Sequence, residues 1–164
     1  MKVIFLGTPE FGAICLNAIL QSKHEVVAVV CQPDKLAGRG NKLTVSPVKA
    51  LANKFNIPVY QFQKIRIDGV DTLKSIKADI MVTAAYGQIL SQEIIDICPH
   101  KIINVHGSLL PKYRGAAPIQ YALLNGEQST GVTIMKTEAG IDTGDMLLKK
   151  EIKIDEFDLS LIHI

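Results

Sequence analysis

Short, mainly apolar runs alternate with helix-like segments over the first two thirds of the chain, and this alternation constrains the fold most. The runs lie at residues 2–6, 26–30, 79–83 and 101–105. Strands that are buried on both faces have this composition, because helices cover both faces of a parallel sheet. The segments between them have helical spacing. The pattern predicts an α/β fold, Rossmann-like and doubly wound, with a mostly parallel sheet.

The pattern changes near residue 130, where two extended segments follow each other. Residues 132–136 and 146–149 read as strands, and the loop that joins them contains Gly140, Asp142, Gly144 and Asp145. Consecutive strands with a short glycine-containing connection pair in antiparallel fashion. We therefore expect an antiparallel hairpin near the C-terminus.

Length, composition and charge restrict the class of protein. A chain of 164 residues with 48% hydrophobic and 21% charged residues is typical of one soluble globular domain. The net charge of +2 does not indicate a nucleic-acid binder, so any such site must be local. No apolar run reaches the ~18 residues of a membrane span. Three cysteines and four histidines have no metal-ligand spacing, which predicts no metal site and a cytoplasmic protein.

The segment around residue 104 is the strongest candidate for chemistry. Asn104 and His106 are two residues apart on a predicted strand, so both side chains point to the same face at its carboxyl end. Ligands of open α/β sheets bind at that end. An amide N–H and an imidazole suit the stabilisation of an oxyanion together with proton transfer. Asp142, in the glycine-bracketed loop, supplies a carboxylate that could complete the set.

Two further segments follow predicted strands. Residues 35–54 carry five basic and no acidic side chains, so they form either a solvated loop or a phosphate contact. The segment 84–90 is either a tight turn or the lining of a flat aromatic ligand. Residues 6–12 lack the GxGxxG fingerprint, which disfavours a nicotinamide cofactor.

The run from Asn104 to Gln120, NVHGSLLPKYRGAAPIQ, resembles the signature of the folate-dependent formyltransferases. The stretches LGTPEF at residues 6–11, GRG at 38–40, SPVK at 46–49, TGVTIM at 130–135 and GIDTGD at 140–145 are also similar to that family. The resemblance extends over about residues 1–155. Within the family, the RGAAPI run and the basic loop favour the members that act on transfer RNA.

The resemblance implies formyl transfer from 10-formyltetrahydrofolate to the α-amino group of methionyl initiator tRNA, a step of translation initiation. It implies that Asn104 and His106 bind the oxyanion and that Asp142 holds and charges the imidazole. The implied folate-binding residues are Tyr86, Gly87, Gln88, Ile89, Leu90, Ser108, Leu109, Leu110 and Pro111. The implied tRNA contacts are Lys35, Arg39 and Lys42.

The resemblance also sets expectations for domain organisation. Residues 1–156 are expected to form the catalytic domain, and residues 157–164 a tail that reflects truncation or an artificial end. The C-terminal β-barrel domain of the family is expected to be absent, and the protein to be a monomer. Two alternatives stay open: a related enzyme acting on a sugar-nucleotide amine, glycinamide ribonucleotide or water, and a non-catalytic folate-binding fragment.

Overall fold

The computed structural model describes residues 1–37, 42–155 and 158. The chain forms two compact units, residues 1–102 and residues 103–164. The expected tail lies outside the described residues, apart from Asp158.

The first unit is built on four parallel strands. Its elements are β1 (Lys2–Gly7), α1 (Glu10–Leu20), β2 (Glu25–Cys31), β3 (Lys35–Ala37), β4 (Lys42–Thr44), α2 (Pro47–Lys54), β5 (Val59–Gln61), α3 (Ile65–Asp68), α4 (Val70–Ile76), β6 (Ile80–Ala84) and α5 (Gln92–Ile95). The strand order is β5-β2-β1-β6, and each neighbouring pair is parallel. Non-consecutive neighbours with helical crossovers are characteristic of a doubly wound sheet.

Helices cover both faces of this parallel sheet. Ile4 and Leu6 of β1 lie in a buried cluster with Ile65, Val70 and Leu73 of the helices α3 and α4. The helices α1 and α2 pack on the sheet and against each other. The continuous apolar composition of β1 follows from burial on both sides. The parallel sheet confirms the predicted α/β class.

The N-termini of α2 and α5 and the β3–β4 hairpin differ in how clearly the sequence predicts them. Ser46 before Pro47 predicts the start of a helix, and Ser46 caps α2, because its hydroxyl accepts a hydrogen bond from the Lys49 backbone N–H at 3.2 Å. Ser91 precedes α5 at the N-cap position, but its side chain makes no capping hydrogen bond. Gln92 and Glu93 after Ser91 predict a helix through Ile97, but α5 ends at Ile95. Strands β3 and β4 form an antiparallel hairpin that composition alone did not indicate.

The second unit is antiparallel. Its elements are β7 (Ile102–His106), α6 (Pro118–Leu124), β8 (Ser129–Lys136) and β9 (Met146–Lys153). The unit begins at Ile103, so the first residue of β7 belongs to the first unit. β7 pairs with β8, and β8 pairs with β9, both in antiparallel register. The β8–β9 pair confirms the predicted hairpin near the C-terminus. Within the described residues, no helix is both long and apolar enough to cross a membrane.

Candidate active site

Strand β7 presents Asn104 and His106 on one face, as their spacing predicts. Asn104 is opposite Met135 on β8, and His106 is opposite Thr133. Directly opposed residues point to the same face of a sheet. His106 is buried with 6% exposure, so its ring is shielded from bulk water.

The loop between β8 and β9 brings Asp142 to these two side chains. Asp142 has a left-handed backbone conformation with φ of 48°, which aspartate tolerates better than most residues. The neck of the loop is closed by Lys136, whose backbone N–H donates to the Asp145 carbonyl at 2.9 Å. A Cβ at Gly144 would overlap the Lys136 carbonyl oxygen, so glycine is required for close approach.

The Asp142 carboxylate is the centre of a hydrogen-bonded cluster. Its Oδ1 accepts a hydrogen bond from Asn104 Nδ2 at 3.3 Å, and its Oδ2 accepts one from the Gly115 N–H at 2.8 Å. The same Oδ2 lies 3.5 Å from His106 Nδ1, forming an ion pair when the ring is protonated. The structure therefore brings together all three predicted catalytic residues.

The second ring nitrogen of His106 also has a partner. Its Nε2 lies 2.8 Å from the Tyr113 carbonyl oxygen. A carbonyl can only accept, so Nε2 carries a proton and donates it. Nδ1 of the neutral ring then carries no proton and faces the Asp142 carboxylate. Only one N–H of the Asn104 amide donates to Asp142, so the other can donate a hydrogen bond to an oxyanion.

Two side chains next to His106 hold the loop that follows β7. Thr133 is opposite both His106 and Lys149, so the three lie side by side. The Thr133 hydroxyl donates to the Ser108 carbonyl at 2.7 Å and accepts from the Leu110 N–H at 3.1 Å. Lys149 Nζ donates to the Leu110 carbonyl. This clamp fixes the backbone immediately after His106.

Replacement of Thr133 by valine should destabilise the chain. Valine keeps the volume but leaves the buried Ser108 carbonyl and Leu110 N–H without their partner, which costs about 1–3 kcal/mol for each unsatisfied group. We expect a loss of about 2–3 kcal/mol in the free energy of unfolding, measured by urea denaturation. Thr72→Val is the control. A loss no greater than that of the control would contradict the clamp.

The four predicted folate-binding residues of the second unit lie in this clamped loop. Ser108 is fully buried and its hydroxyl donates to the Lys112 carbonyl at 2.7 Å. Leu110 is buried, Leu109 is half-buried and Pro111 is exposed. A ligand could therefore meet Leu109 and Pro111 side chains, while Ser108 is committed to the loop.

The predicted folate-binding residues of the first unit follow β6. The Tyr86 ring is buried in the core cluster, and burial raises the pKa of its hydroxyl. Gln88 accepts from the Ile65 N–H at 2.8 Å and donates to the Phe62 carbonyl at 2.9 Å. Gly87 has a positive φ of 84°, Leu90 is half-buried against the core, and Ile89 is 77% exposed. Ile89 is thus the side chain of this segment most available to a ligand.

Two of the three predicted tRNA-binding residues lie on the β3–β4 hairpin. Lys35 is exposed on β3, Lys42 begins β4, and Arg39 lies outside the described residues. The base of the hairpin is fixed by an ion pair of 2.5 Å between Lys49 Nζ and Asp34 Oδ2. Gln61 bonds to both partners, and hydrogen bonds from Lys49 and then Gln61 lower the pKa of the Asp34 carboxyl.

The family model described as formyl transferase matches residues 1–161. The chain belongs to the formyl transferase family. The methionyl-tRNA formyltransferase of Acetivibrio thermocellus is 54% identical over 157 residues, covering 95% of this chain and 50% of that protein. That of Clostridioides difficile is 53% identical over 157 residues, covering 95% and 51%.

A solved structure resembles this formyl transferase chain in fold. Phosphoribosylglycinamide formyltransferase from Bacillus halodurans has a TM-score of 0.75 and 24% identity, covering 96% of this chain and 82% of that one. At that identity the likeness concerns the fold alone. The chain spans about half the length of the curated relatives it matches.

Sequence reasoning missed the groups that hold the formyl transferase cluster in place. The Tyr113 carbonyl and the Gly115 N–H are backbone groups, which carry no residue-type signal. Thr133 is one of several threonines, and its importance depends on the β7–β8 register.

Proposed function

We propose that this chain is the catalytic part of an enzyme that transfers the formyl group of 10-formyltetrahydrofolate to the α-amino group of methionyl initiator tRNA. The observation that carries the proposal is the cluster of Asn104, His106 and Asp142, joined by contacts of 3.3 and 3.5 Å. Membership of the formyl transferase family and 54% identity to a methionyl-tRNA formyltransferase support the choice of reaction and acceptor.

The cluster suggests a division of roles. The free amine attacks the formyl carbon, and the carbonyl oxygen becomes an oxyanion that accepts from the Asn104 amide. His106 Nδ1 takes the proton of the amine, directly or through water, and the imidazolium is stabilised by Asp142. The carbon–nitrogen bond to the folate then breaks, and the proton passes to the departing nitrogen. The charged ring supports the oxyanion electrostatically, since Nε2 already donates to Tyr113.

Binding roles are proposed for both substrates. We assign the folate to backbone and side chains of residues 86–90 and 108–111, with Ile89, Leu109 and Pro111 as the available side chains. We assign the phosphates of the acceptor RNA to Lys35, Arg39 and Lys42. Lys35 is exposed, and an exposed cation on a hairpin suits contact with a nucleic-acid backbone.

The test is a transfer assay with this chain and with a chimera. In the chimera this chain replaces the matched half of the Acetivibrio thermocellus relative. Formyl transfer to methionyl initiator tRNA by the chimera is expected. Transfer only to a small amine, or hydrolysis that releases formate, would show that the cluster acts on an acceptor other than methionyl initiator tRNA. Folate binding without either reaction would support a non-catalytic binding fragment.

The affinity of the chimera for tRNA should fall steeply as salt concentration rises. Each phosphate neutralised by a cation releases counterions, and the slope of log K against log salt changes by about 0.7–0.9 for each contact. Lys35→Ala is expected to flatten the slope by about that amount. Lys23→Ala, another exposed lysine, serves as the matched control. A slope that Lys35→Ala leaves unchanged would remove this residue from the interface.

A further inference from the structure

The turn at residues 113–117 contacts two members of the catalytic cluster through its backbone. The Tyr113 carbonyl accepts from His106 Nε2 at 2.8 Å, and the Gly115 N–H donates to Asp142 at 2.8 Å. The position of the imidazole, and the location of its proton, therefore depend on where this turn holds its carbonyl.

The conformation of this turn is unusual. Tyr113, Gly115 and Ala117 have φ values of 57°, 85° and 56°. Two of these are not glycine, and residues with a side chain are disfavoured in the left-handed region. Such a conformation persists when surrounding contacts over-determine it. The turn accordingly needs an anchor outside its own backbone.

The Ser108 hydroxyl, which donates to the Lys112 carbonyl at 2.7 Å and lies 3.5 Å from the Tyr113 carbonyl oxygen, supports the backbone at the start of the turn. The side-chain anchor is a polar cluster centred on Glu127. The Tyr113 hydroxyl donates to Glu127 Oε1 at 2.7 Å and accepts from Asn125 Nδ2 at 3.0 Å. Lys112 Nζ donates to the same Oε1 at 3.0 Å. The hydrogen bond from Tyr113, and then that from Lys112, keeps the pKa of the Glu127 carboxyl below its usual range. The carboxylate thus accepts from two consecutive residues at the start of the turn.

Glu127 itself is held by regular structure. It lies between the end of α6 and the start of β8, and its backbone N–H donates to the Ala122 carbonyl at 3.1 Å. β8 continues to Thr133, which is opposite His106. Glu127 and the His106 imidazole are therefore both attached to the β7–β8 pair, so the position of Glu127 relative to the imidazole is fixed.

We propose that Glu127, acting through the Tyr113 side chain, is a positioning residue that holds the His106 imidazole in its working orientation. The inference rests on the proposed function for the catalytic role of His106. It assigns a purpose to a carboxylate that touches neither Asn104 nor Asp142. Glu127 acts on the turn, the turn carbonyl acts on Nε2, and Nδ1 is thereby directed at Asp142.

Two readouts test this role. The first is the exchange rate of the His106 Nε2 proton in this chain, followed by nuclear magnetic resonance with labelled histidine. The second is kcat and KM of the chimera for formyl transfer. Glu127→Ala and Tyr113→Phe should each speed proton exchange and lower kcat about tenfold, corresponding to loss of one charge-assisted hydrogen bond. KM for the folate should stay within about twofold.

Matched variants separate positioning from general stability. Glu127→Gln keeps an oxygen that can accept from Tyr113, so exchange and kcat should return to near the parent values. Glu93→Ala breaks another exposed pair, that of Lys74 and Glu93 at 2.8 Å, and should change neither readout.

An unchanged exchange rate in both Glu127→Ala and Tyr113→Phe would overturn the proposal. Faster exchange with unchanged kcat would overturn it as well, because the ring orientation would then not matter for turnover. If the parent chimera transfers no formyl group to any acceptor, the proposed function fails, while the exchange rates still decide whether Glu127 positions the ring.

Discussion

His106→Ala should lower kcat for formyl transfer by about 10²–10³-fold while leaving tetrahydrofolate affinity within a few-fold. The imidazole is buried, carries its proton on Nε2 and faces a carboxylate with Nδ1. Under the proposed function, those features serve proton transfer and charge stabilisation in the transition state. Loss of a group that acts only there lowers kcat without weakening ground-state binding.

The experiment compares turnover of the chimera with calorimetric binding of tetrahydrofolate. His100→Ala is the control, because His100 is an exposed histidine outside the cluster. His106→Asn adds a second variant that leaves a smaller cavity. Turnover of either His106 variant equal to that of the parent would remove the imidazole from the mechanism.

Gly131→Ala should be among the most destabilising single substitutions in the second unit. A Cβ at this position would overlap the Lys150 carbonyl oxygen on β9 and lie 2.7 Å from Leu109 Cδ2. The first obstacle is backbone, so relief requires β8 and β9 to separate locally. We expect a loss of about 3 kcal/mol or more in the free energy of unfolding, measured by urea denaturation.

Gly126→Ala controls for the general effect of replacing glycine. Gly126 has a φ of 67° and open space where its Cβ would stand. The cost there is backbone strain of about 1–2 kcal/mol, offset by about 0.4–1 kcal/mol from the less flexible unfolded chain. Equal losses in the two variants would indicate that the β8–β9 contact yields easily.

The sequence predicts the parts of this fold whose signal is local. Continuous apolar composition identifies β1, β2 and β6 because both faces of each are buried. A spacing of two places Asn104 and His106 on one face, and this holds in the β7–β8 register. The hairpin near the C-terminus also follows from local pattern, because glycine marks the connection.

The remainder depends on information that no short segment carries. Asp142 is 36 residues from His106 in the chain, and their contact depends on pairing of β7, β8 and β9. The composition of residues 84–90 allows either a tight turn or the lining of a ligand site, and Tyr86 and Gln88 of this segment are used by the core and by backbone groups. The β3–β4 hairpin was missed because its strands are three residues each.

The antiparallel unit from residue 103 onward contains every contact that joins Asn104, His106 and Asp142 to one another. Proteins open locally as well as globally, in cooperative segments of unequal stability. Transient opening of this antiparallel unit would separate the three residues of the proposed catalytic cluster even if the parallel strands of the first unit stayed paired. On mild heating, turnover should therefore be lost below the temperature at which the whole chain unfolds. The temperature of that loss is set by the local stability of the antiparallel unit.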